Sequence, residues 1–485
     1  MITSPDPIII QGGMGAAVSA WPLARAVAQI GQLGVVSGTA LDLVLCRRLQ
    51  LGDPGGDLRR AMAEFPYPEM IEPILDRYFI PGGKAPDAQF ISCPMPSMTP
   101  SRRQLELMVV SNFVEVYLAK EGHDGLVGIN YLEKIQAPTL ASLFGAMLAG
   151  VDYVLMGAGI PRAIPGILDR LSQGEPVELA LYVSGAGNED NFVTRFDPSE
   201  FTAGEVPWLK RPKFLAIIAS SALATMLTKK SNGKVDGFVV EGPTAGGHNA
   251  PPRGEMQLNE HGEPIYGERD VPDLAAIAAL GLPFWLAGSY GTPERVGEAL
   301  ALGATGVQVG TAFAFCEESG LREDIRRDVI DMVRAGTVEV RTEPRASPAG
   351  FPFKVLQLPD SMSDDAVCIE RTRTCDLGFL RQAYKRPDGL LGWRCPAEEI
   401  DAYVRKGGDE EDTCGRKCVC NGLLANVGLG QVRGNEVAEK PLVTSGDDVR
   451  SVLSFLPTAD AASYSAKDVV EHLLAGITTV SAHGA

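Results

Sequence analysis

Residues 236–254 read Asp-Gly-Phe-Val-Val-Glu-Gly-Pro-Thr-Ala-Gly-Gly-His-Asn-Ala-Pro-Pro-Arg-Gly. The apolar run Phe238–Val240 stops at Glu241-Gly242-Pro243 and gives way to Gly246, Gly247 and His248. A short β-branched run ending in Gly and Pro predicts a buried parallel strand followed by its C-terminal loop. Paired glycines let backbone approach a ligand closely, and their N–H groups can cradle a phosphate. His248 follows directly. With an ordinary pKa near ~6.5, an imidazole suits proton transfer at neutral pH, which makes His248 the candidate catalytic residue. A lone Gly-Gly-His reads equally well as a tight turn with a surface histidine. Two later stretches shift the balance. Pro283–Gly291 reads Pro-Phe-Trp-Leu-Ala-Gly-Ser-Tyr-Gly, and Gly306–Phe313 reads Gly-Val-Gln-Val-Gly-Thr-Ala-Phe. Three successive strand ends carrying glycine are how a (β/α)₈ barrel grips a phosphate near its last strands.

Ala245-Gly246-Gly247-His248, Ala287-Gly288-Ser289 and Gly310-Thr311-Ala312-Phe313 together resemble the nitronate monooxygenase (formerly 2-nitropropane dioxygenase) family. That family is similar in turn to the FMN-dependent enoyl-acyl-carrier-protein reductases. The resemblance spans roughly residues 7–45 and 124–355, and the histidine loop is its most specific part. It implies a TIM barrel carrying FMN, with the phosphate held by Gly246, Gly247, Gly288, Ser289, Gly310 and Thr311. It also places Gln11, Gly13, Met14, Asn130 and Glu241 among the cofactor-binding residues, with His248 beside the flavin ring. The implied reaction is oxidation of an alkyl nitronate with O₂. Two alternatives stay open: an NAD(P)H-dependent reductase of enoyl thioesters, and a non-catalytic flavin-binding assembly subunit. Ser289 departs from the family's glycine; the swap is tolerable unless the position requires a positive φ.

The elements needed to position these residues recur along the chain. Residues 7–15 give a first strand and loop, Ser19–Ile30 a helix, and residues 33–38 a second strand. Residues 46–123 break the rhythm with Pro and charge, and read as an insertion on the catalytic side or an oligomer contact. Val127–Asn130 resumes as strand three. Asn130 reads either as a flavin neighbour or as the cap of a helix through Tyr131–Ile135. Strand four is Asp152–Met156, a second insertion occupies about 175–212, and Phe214–Ile218 is strand five. Val235–Glu241, Pro283–Ala287 and Gly306–Gly310 complete eight strands. This favours a (β/α)₈ barrel over an open doubly wound sheet. Thr292-Pro293 starts a helix whose N-terminus faces the Gly288 region. The barrel is assigned to residues 1–355, and a C-terminal region to 356–485.

Composition sets bounds. The 485 residues are 45% hydrophobic and 22% charged, as in soluble globular proteins. No apolar run is long enough to cross a bilayer; the longest is Phe214–Leu227. Residues 1–24 lack Lys and Arg, so no signal-peptide n-region is present and the cytoplasm is the expected compartment. A net charge of −17 argues against a nucleic-acid partner. The expected partner is a small-molecule substrate, with no membrane, and a homo-oligomer stays open.

Five of the nine cysteines, Cys375, Cys395, Cys414, Cys418 and Cys420, fall in the segment 375–420. Cys395, Cys414, Cys418 and Cys420 could supply four thiolates to zinc or an iron–sulfur cluster, although no paired C-x₂-C is present. Reactive thiols are the second reading, with Arg416 and Lys417 lowering a neighbouring thiol's pKa. Buried free cysteines packing as small hydrophobes are the third.

Overall fold

The computed structural model describes residues 6–204, 206–434 and 438–477. Eight parallel strands form its centre: β1 (Ile9–Gln11), β2 (Gly34–Ser37), β3 (Val127–Leu132), β4 (Tyr153–Gly157), β5 (Lys213–Ile218), β6 (Gly237–Glu241), β7 (Phe284–Ala287) and β8 (Gly306–Val309). Each pairs with the next, and β8 pairs with β1 from Ile9–Val307 to Gln11–Val309. A parallel bridge between Ile10 and Leu33 joins β1 to β2, with Gln11 N–H donating to Leu33 O at 3.0 Å. The ring is therefore closed. The fold is a (β/α)₈ barrel.

Alternation along each strand divides the apolar residues between two cores. Ile10, Val35, Tyr153, Leu155, Leu215, Val239 and Trp285 fill the barrel interior. Their neighbours Ile9, Val36, Val154, Phe214, Phe238, Phe284 and Val307 face the surrounding helices. This is the period-2 consequence of the pleat. Trp285 donates its indole N–H to Pro7 O at 2.8 Å, so this large interior ring is hydrogen-bonded as well as packed.

Two boundaries differ from those read off the sequence. Helix Arg102–Lys120, inside the stretch assigned to the first insertion, packs against helices Trp21–Gln29 and Thr139–Leu148 as the barrel's own β2–β3 helix. Fourteen of its 19 residues are buried, including Glu106 and Glu115, so no polar face survives to give helical periodicity. The inserted part is thus 51–101. It buttresses the C-terminal region through Phe90, whose N–H donates to Gln431 Oε1 at 2.8 Å.

The second difference is larger. The barrel does not end near residue 355. Strand Phe353–Leu356 pairs with Val340–Glu343, and Leu356 N–H donates to Val443 O at 2.9 Å. Helix Ala466–Leu473 lies against both Trp21–Gln29 and Pro293–Ala301, the place of the eighth barrel helix. Val443, Val452, Phe455, Tyr464 and Val469 belong to the same core as the barrel helices. Between these points, residues 357–434 and 438–442 form a cap of short helices and one hairpin (Gln382–Lys385 with Leu391–Arg394) over the mouth of the barrel. Residues 175–212 hold a separate hairpin, Val177–Ala180 with Val193–Phe196.

Candidate active site

A cavity of about 520 Å³ lies at the C-terminal ends of the strands, roofed by the cap. Its size is that of a small-molecule site. Gly13, Met14, Asn130, Glu241, Gly246, Gly247, His248, Gly288, Ser289, Gly310 and Thr311 all line it. Gln11 does not. It is fully buried, its Nε2 donates to Ser19 Oγ at 2.9 Å and to Gly12 O, and its Oε1 accepts from Val35 N–H at 2.9 Å. Gln11 therefore shapes the β1 loop from beneath.

Asn130 sits in the strand, in register with Ser37 and Leu155, and does not cap a helix, because β3 runs on to Leu132. Gly13 makes room for it: a Cβ at Gly13 would fall within 2.4 Å of Asn130 Cβ. Asn130 Oδ1 is buried with no hydrogen-bond partner, and so is Oε1 of Gln308 on β8, which also lines the cavity. Asn249 and Asn426, each 1% exposed, repeat the pattern. Their amide N–H groups are engaged by Ala245 O and Leu442 O, at 2.9 and 2.8 Å. Their oxygens are left without a partner. Burying an unsatisfied acceptor costs about 1–3 kcal/mol, so four of them around one cavity mark a place for a ligand with N–H or O–H donors.

The glycine loops are used in a different way from the one their sequence suggests. Gly247 N–H donates to Thr444 Oγ1 at 2.8 Å, and Gly446 N–H donates to Thr311 Oγ1 at 3.0 Å. A Cβ at Gly246 would stand 2.9 Å from the Ser445 carbonyl carbon, so this glycine admits the chain's own backbone. Residues 444–448 thus form one wall of the cradle. The N–H groups of Ser289 and Gly310 have no partner among the described residues and remain for a ligand, whereas the register of β7 with β8 turns the Gly288 N–H toward Gln308 O. Ser289 has φ +57°, so its position does require the left-handed region, and serine is strained there.

His248 Nε2 is 2.6 Å from Ser347 Oγ, and its ring meets Phe353 edge-on at 4.8 Å. Desolvation, reinforced by the Lys134 ammonium, lowers its pKa to about 3. The imidazole is neutral at physiological pH. Glu241, at the end of β6 with no cation beside it, is pushed up by desolvation to about 8 and is protonated at neutral pH. Lys134 is itself pulled down to about 7 by burial; its Nζ lies over the Phe351 ring without a hydrogen-bond acceptor. Burial raises the carboxyl of Asp448, on the cradle wall, above its ordinary value.

Sequence reasoning missed Gln308, Asn249, Asn426, Lys134 and residues 444–448. Gln308 carried a signal, being a polar residue inside a buried strand. Residues 444–448 carried none, because they reach Gly247 across 197 positions.

Of the four cysteines read as possible thiolate ligands, Cys395, Cys418 and Cys420 line one small cleft and Cys414 does not. Cys414 is exposed beside Glu411, whereas Cys395 is buried. Among the described residues, no three His, Cys, Asp or Glu side chains converge as metal ligands. Nor do Arg416 and Lys417 activate thiols. Arg416 donates to the carbonyls of Arg345, Ser347 and Asp412, and Lys417, 2% exposed, pairs with Asp365 and Glu343. Burial pushes the Cys418 thiol up. No described helix is long and apolar enough to cross a membrane.

Residues 196–345 match the nitronate monooxygenase family. The resemblance carried by the three glycine loops therefore holds across β5–β8; the matched stretch leaves out Gly13, Met14 and Asn130. No curated protein matches the sequence. Among solved structures, the nitroalkane oxidase of Streptomyces ansochromogenes is similar at 14% identity and a TM-score of 0.49, covering 97% of this chain and 96% of its own. FabK from Thermotoga maritima is similar at 16% identity and a TM-score of 0.44, covering 97% and 92%. The enoyl reductase domain of MlnA from Bacillus amyloliquefaciens is similar at 10% and 0.45, covering 97% and 94%. The fold assignment rests on the strand order itself.

Proposed function

We propose that this chain is an FMN-dependent oxidoreductase of the nitronate monooxygenase type, oxidising an alkyl nitronate with O₂. The observation that carries the reading is one cavity lined by the family's glycine loops, with unpartnered N–H donors at Ser289 and Gly310 and unpartnered acceptors at Asn130 and Gln308. A flavin mononucleotide fits that donor and acceptor set: its phosphate needs N–H groups, and its ring system and ribityl chain carry N–H and O–H donors. Gly288, Ser289, Gly310 and Thr311 would hold the phosphate, while Met14, Asn130 and Gln308 would meet the ring. The electron-accepting chemistry is the cofactor's.

The chain's own residues suit an anionic substrate. A nitronate arrives already deprotonated, so no strong base is required. His248 is neutral and can donate a ring N–H to an anion without first taking up a proton. Glu241, also neutral at pH 7, presents an O–H where an ionised carboxylate would repel the substrate. The cap roofs the cavity, and a substrate that displaces water beneath it strengthens both contacts.

The second reading, NAD(P)H-dependent reduction of an enoyl thioester, is favoured by one feature, the apolar roof of Phe351, Phe379, Leu380 and Leu423. The two readings separate in one experiment. The visible spectrum of the purified protein is recorded, and then NAD(P)H and a nitronate are added separately without oxygen. Bleaching by nitronate alone is expected; bleaching by NAD(P)H alone would establish the reductase instead. Flavin binding with no turnover of either would leave the assembly subunit, and no flavin even after FMN is added would overturn all three. His248→Ala should keep its flavin and lose most of its turnover. Full activity in that variant would remove His248 from the mechanism.

A further inference from the structure

One acidic side chain stands on the wall of the proposed phosphate cradle. Asp448 lines the cavity together with Ser289, Gly310 and Thr311. Two glycines fix where its carboxyl lies. A Cβ at Gly446 would fall 2.8 Å from both Asp448 Oδ1 and Thr311 Oγ1, so these two oxygens flank one point. A Cβ at Gly291, just past Ser289, would fall 3.0 Å from Asp448 Oδ2. The carboxyl is thus wedged between the loop after β7 and Thr311 beyond β8, and both glycines leave room for it. The ion pair next door belongs to Asp447, whose carboxylate takes the Lys354 ammonium at 2.7 Å; Asp448 has none among the described residues.

A carboxylate so placed would repel a phosphate held by Ser289, Gly310 and Thr311. We infer that Asp448 meets the flavin phosphate as a neutral donor, its carboxyl O–H bonded to a phosphate oxygen, so that FMN binding takes up one proton. This rests on the FMN reading given above. Two oxyanions side by side do not both stay ionised, and one proton between them turns repulsion into a charge-assisted hydrogen bond. The protein without flavin is already prepared for this, because burial raises the Asp448 carboxyl above its ordinary value. The proton comes from solvent on binding and returns to it on release.

The surrounding groups do not do this work instead. Asp447, on the same segment, adds a second negative charge. Tyr464, from the stretch before helix Ala466–Leu473, donates its hydroxyl to Ala312 O at 2.7 Å. His472, on that helix, meets the Phe455 ring edge-on at 5.2 Å. Glu294 and Arg295 lie at the start of helix Pro293–Ala301, and Arg295 is paired to Glu298 at 2.6 Å. Elsewhere in the site, Glu241 and Lys134 titrate at about 8 and about 7, so any pH dependence of their own has to be separated from that of Asp448.

The test is the FMN dissociation constant of the flavin-stripped full-length chain across a pH series, read by quenching of flavin fluorescence. A free phosphate monoester is mostly a dianion above pH ~6. Above that point the wild-type constant should rise with pH, by up to about tenfold per pH unit for the one proton taken up. Asp448→Asn keeps an N–H donor and cannot ionise. Its binding should be roughly tenfold tighter near pH ~8, with a flatter profile whose remaining slope belongs to Glu241 and Lys134. A variant with the wild-type slope, or a wild-type constant that ignores pH, would overturn the inference while leaving FMN binding intact. No FMN binding at any pH would take down the FMN reading along with it. Should the variant fail to fold, the phosphorus NMR signal of FMN bound to the wild type decides. It should titrate above the free ester's value near ~6, and a signal constant through that range would overturn the inference.

Discussion

The loops after β6, β7 and β8 and the cap that closes over them are built on opposite plans. The loops stand on a repeated unit, each an apolar strand ending in glycine, with alternate side chains sent to the barrel interior and to the helices. The cap has no repeat. It is a set of short helices, one hairpin and buried ion pairs, such as Arg371 with Glu439. Yet the two share one cavity and, through residues 443–473, one hydrophobic core. The difference shows that regularity marks the scaffold and not the whole site. Phe379, Leu380, Leu423 and the wall at 443–448 come to the cavity from sequence with no period at all.

The comparison breaks at its strongest point if the C-terminal segment is energetically separate. Phe455 is 2% exposed and packs 5.5 Å from Tyr464 in the shared core. Phe455→Ala should destabilise the whole protein by about 3–5 kcal/mol in a single unfolding transition. Two transitions in calorimetry, with only one of them shifted, would show that cap and barrel unfold independently.

On the barrel side, Glu241 gives stability a particular pH dependence. Its pKa is about 8 in the fold against 4.5 for the ordinary group. Between those values the folded protein holds a proton that the unfolded chain has released, so this contribution is full below 4.5 and is lost as pH rises toward 8. His248 works in the opposite sense. Folded near 3 against 6.5, it leaves the unfolded chain to take up the proton first, and its contribution is lost as pH falls through that window. Glu241→Gln should flatten the fall above pH 4.5, by up to a few kcal/mol in denaturant titrations. An unchanged profile would mean that Glu241 is ionised in the fold.

The tie between the two regions can be cut more finely at Asp447. Its carboxylate accepts from the nearly buried Lys354 ammonium at 2.7 Å. Asp447→Ala leaves that cation with only the Thr342 hydroxyl, 2.7 Å away. We expect a loss of about 1–3 kcal/mol and weaker flavin retention, because residues 444–448 wall the cradle. Loss of stability with unaltered flavin affinity would detach this segment from cofactor binding. The smallest effect belongs to Ser289. Ser289→Gly relieves the left-handed backbone and should stabilise by roughly 1 kcal/mol, read as a small rise in Tm. A fall would show that the serine hydroxyl matters more than its strain.

The eight strands were legible because each buried strand is a short apolar run cut off by glycine or proline, a local pattern that survives without knowledge of its neighbours. The cavity-facing glycines and His248 were legible for the same reason, since they sit where those runs stop. Helix Arg102–Lys120 was not, because burial on every side removes the contrast between faces that periodicity needs. The eighth barrel helix was hidden by distance: Ala466–Leu473 closes a ring whose last strand ends at Val309. Sequence alone therefore determined the barrel, its mouth and the histidine loop. The tertiary structure alone decided what Gly246 and Gly247 accommodate, that Ser289 has a positive φ, and that His248 and Glu241 are both neutral. Those properties depend on desolvation and on atoms brought in by residues 444–448, and no local stretch of chain contains its own solvent exposure.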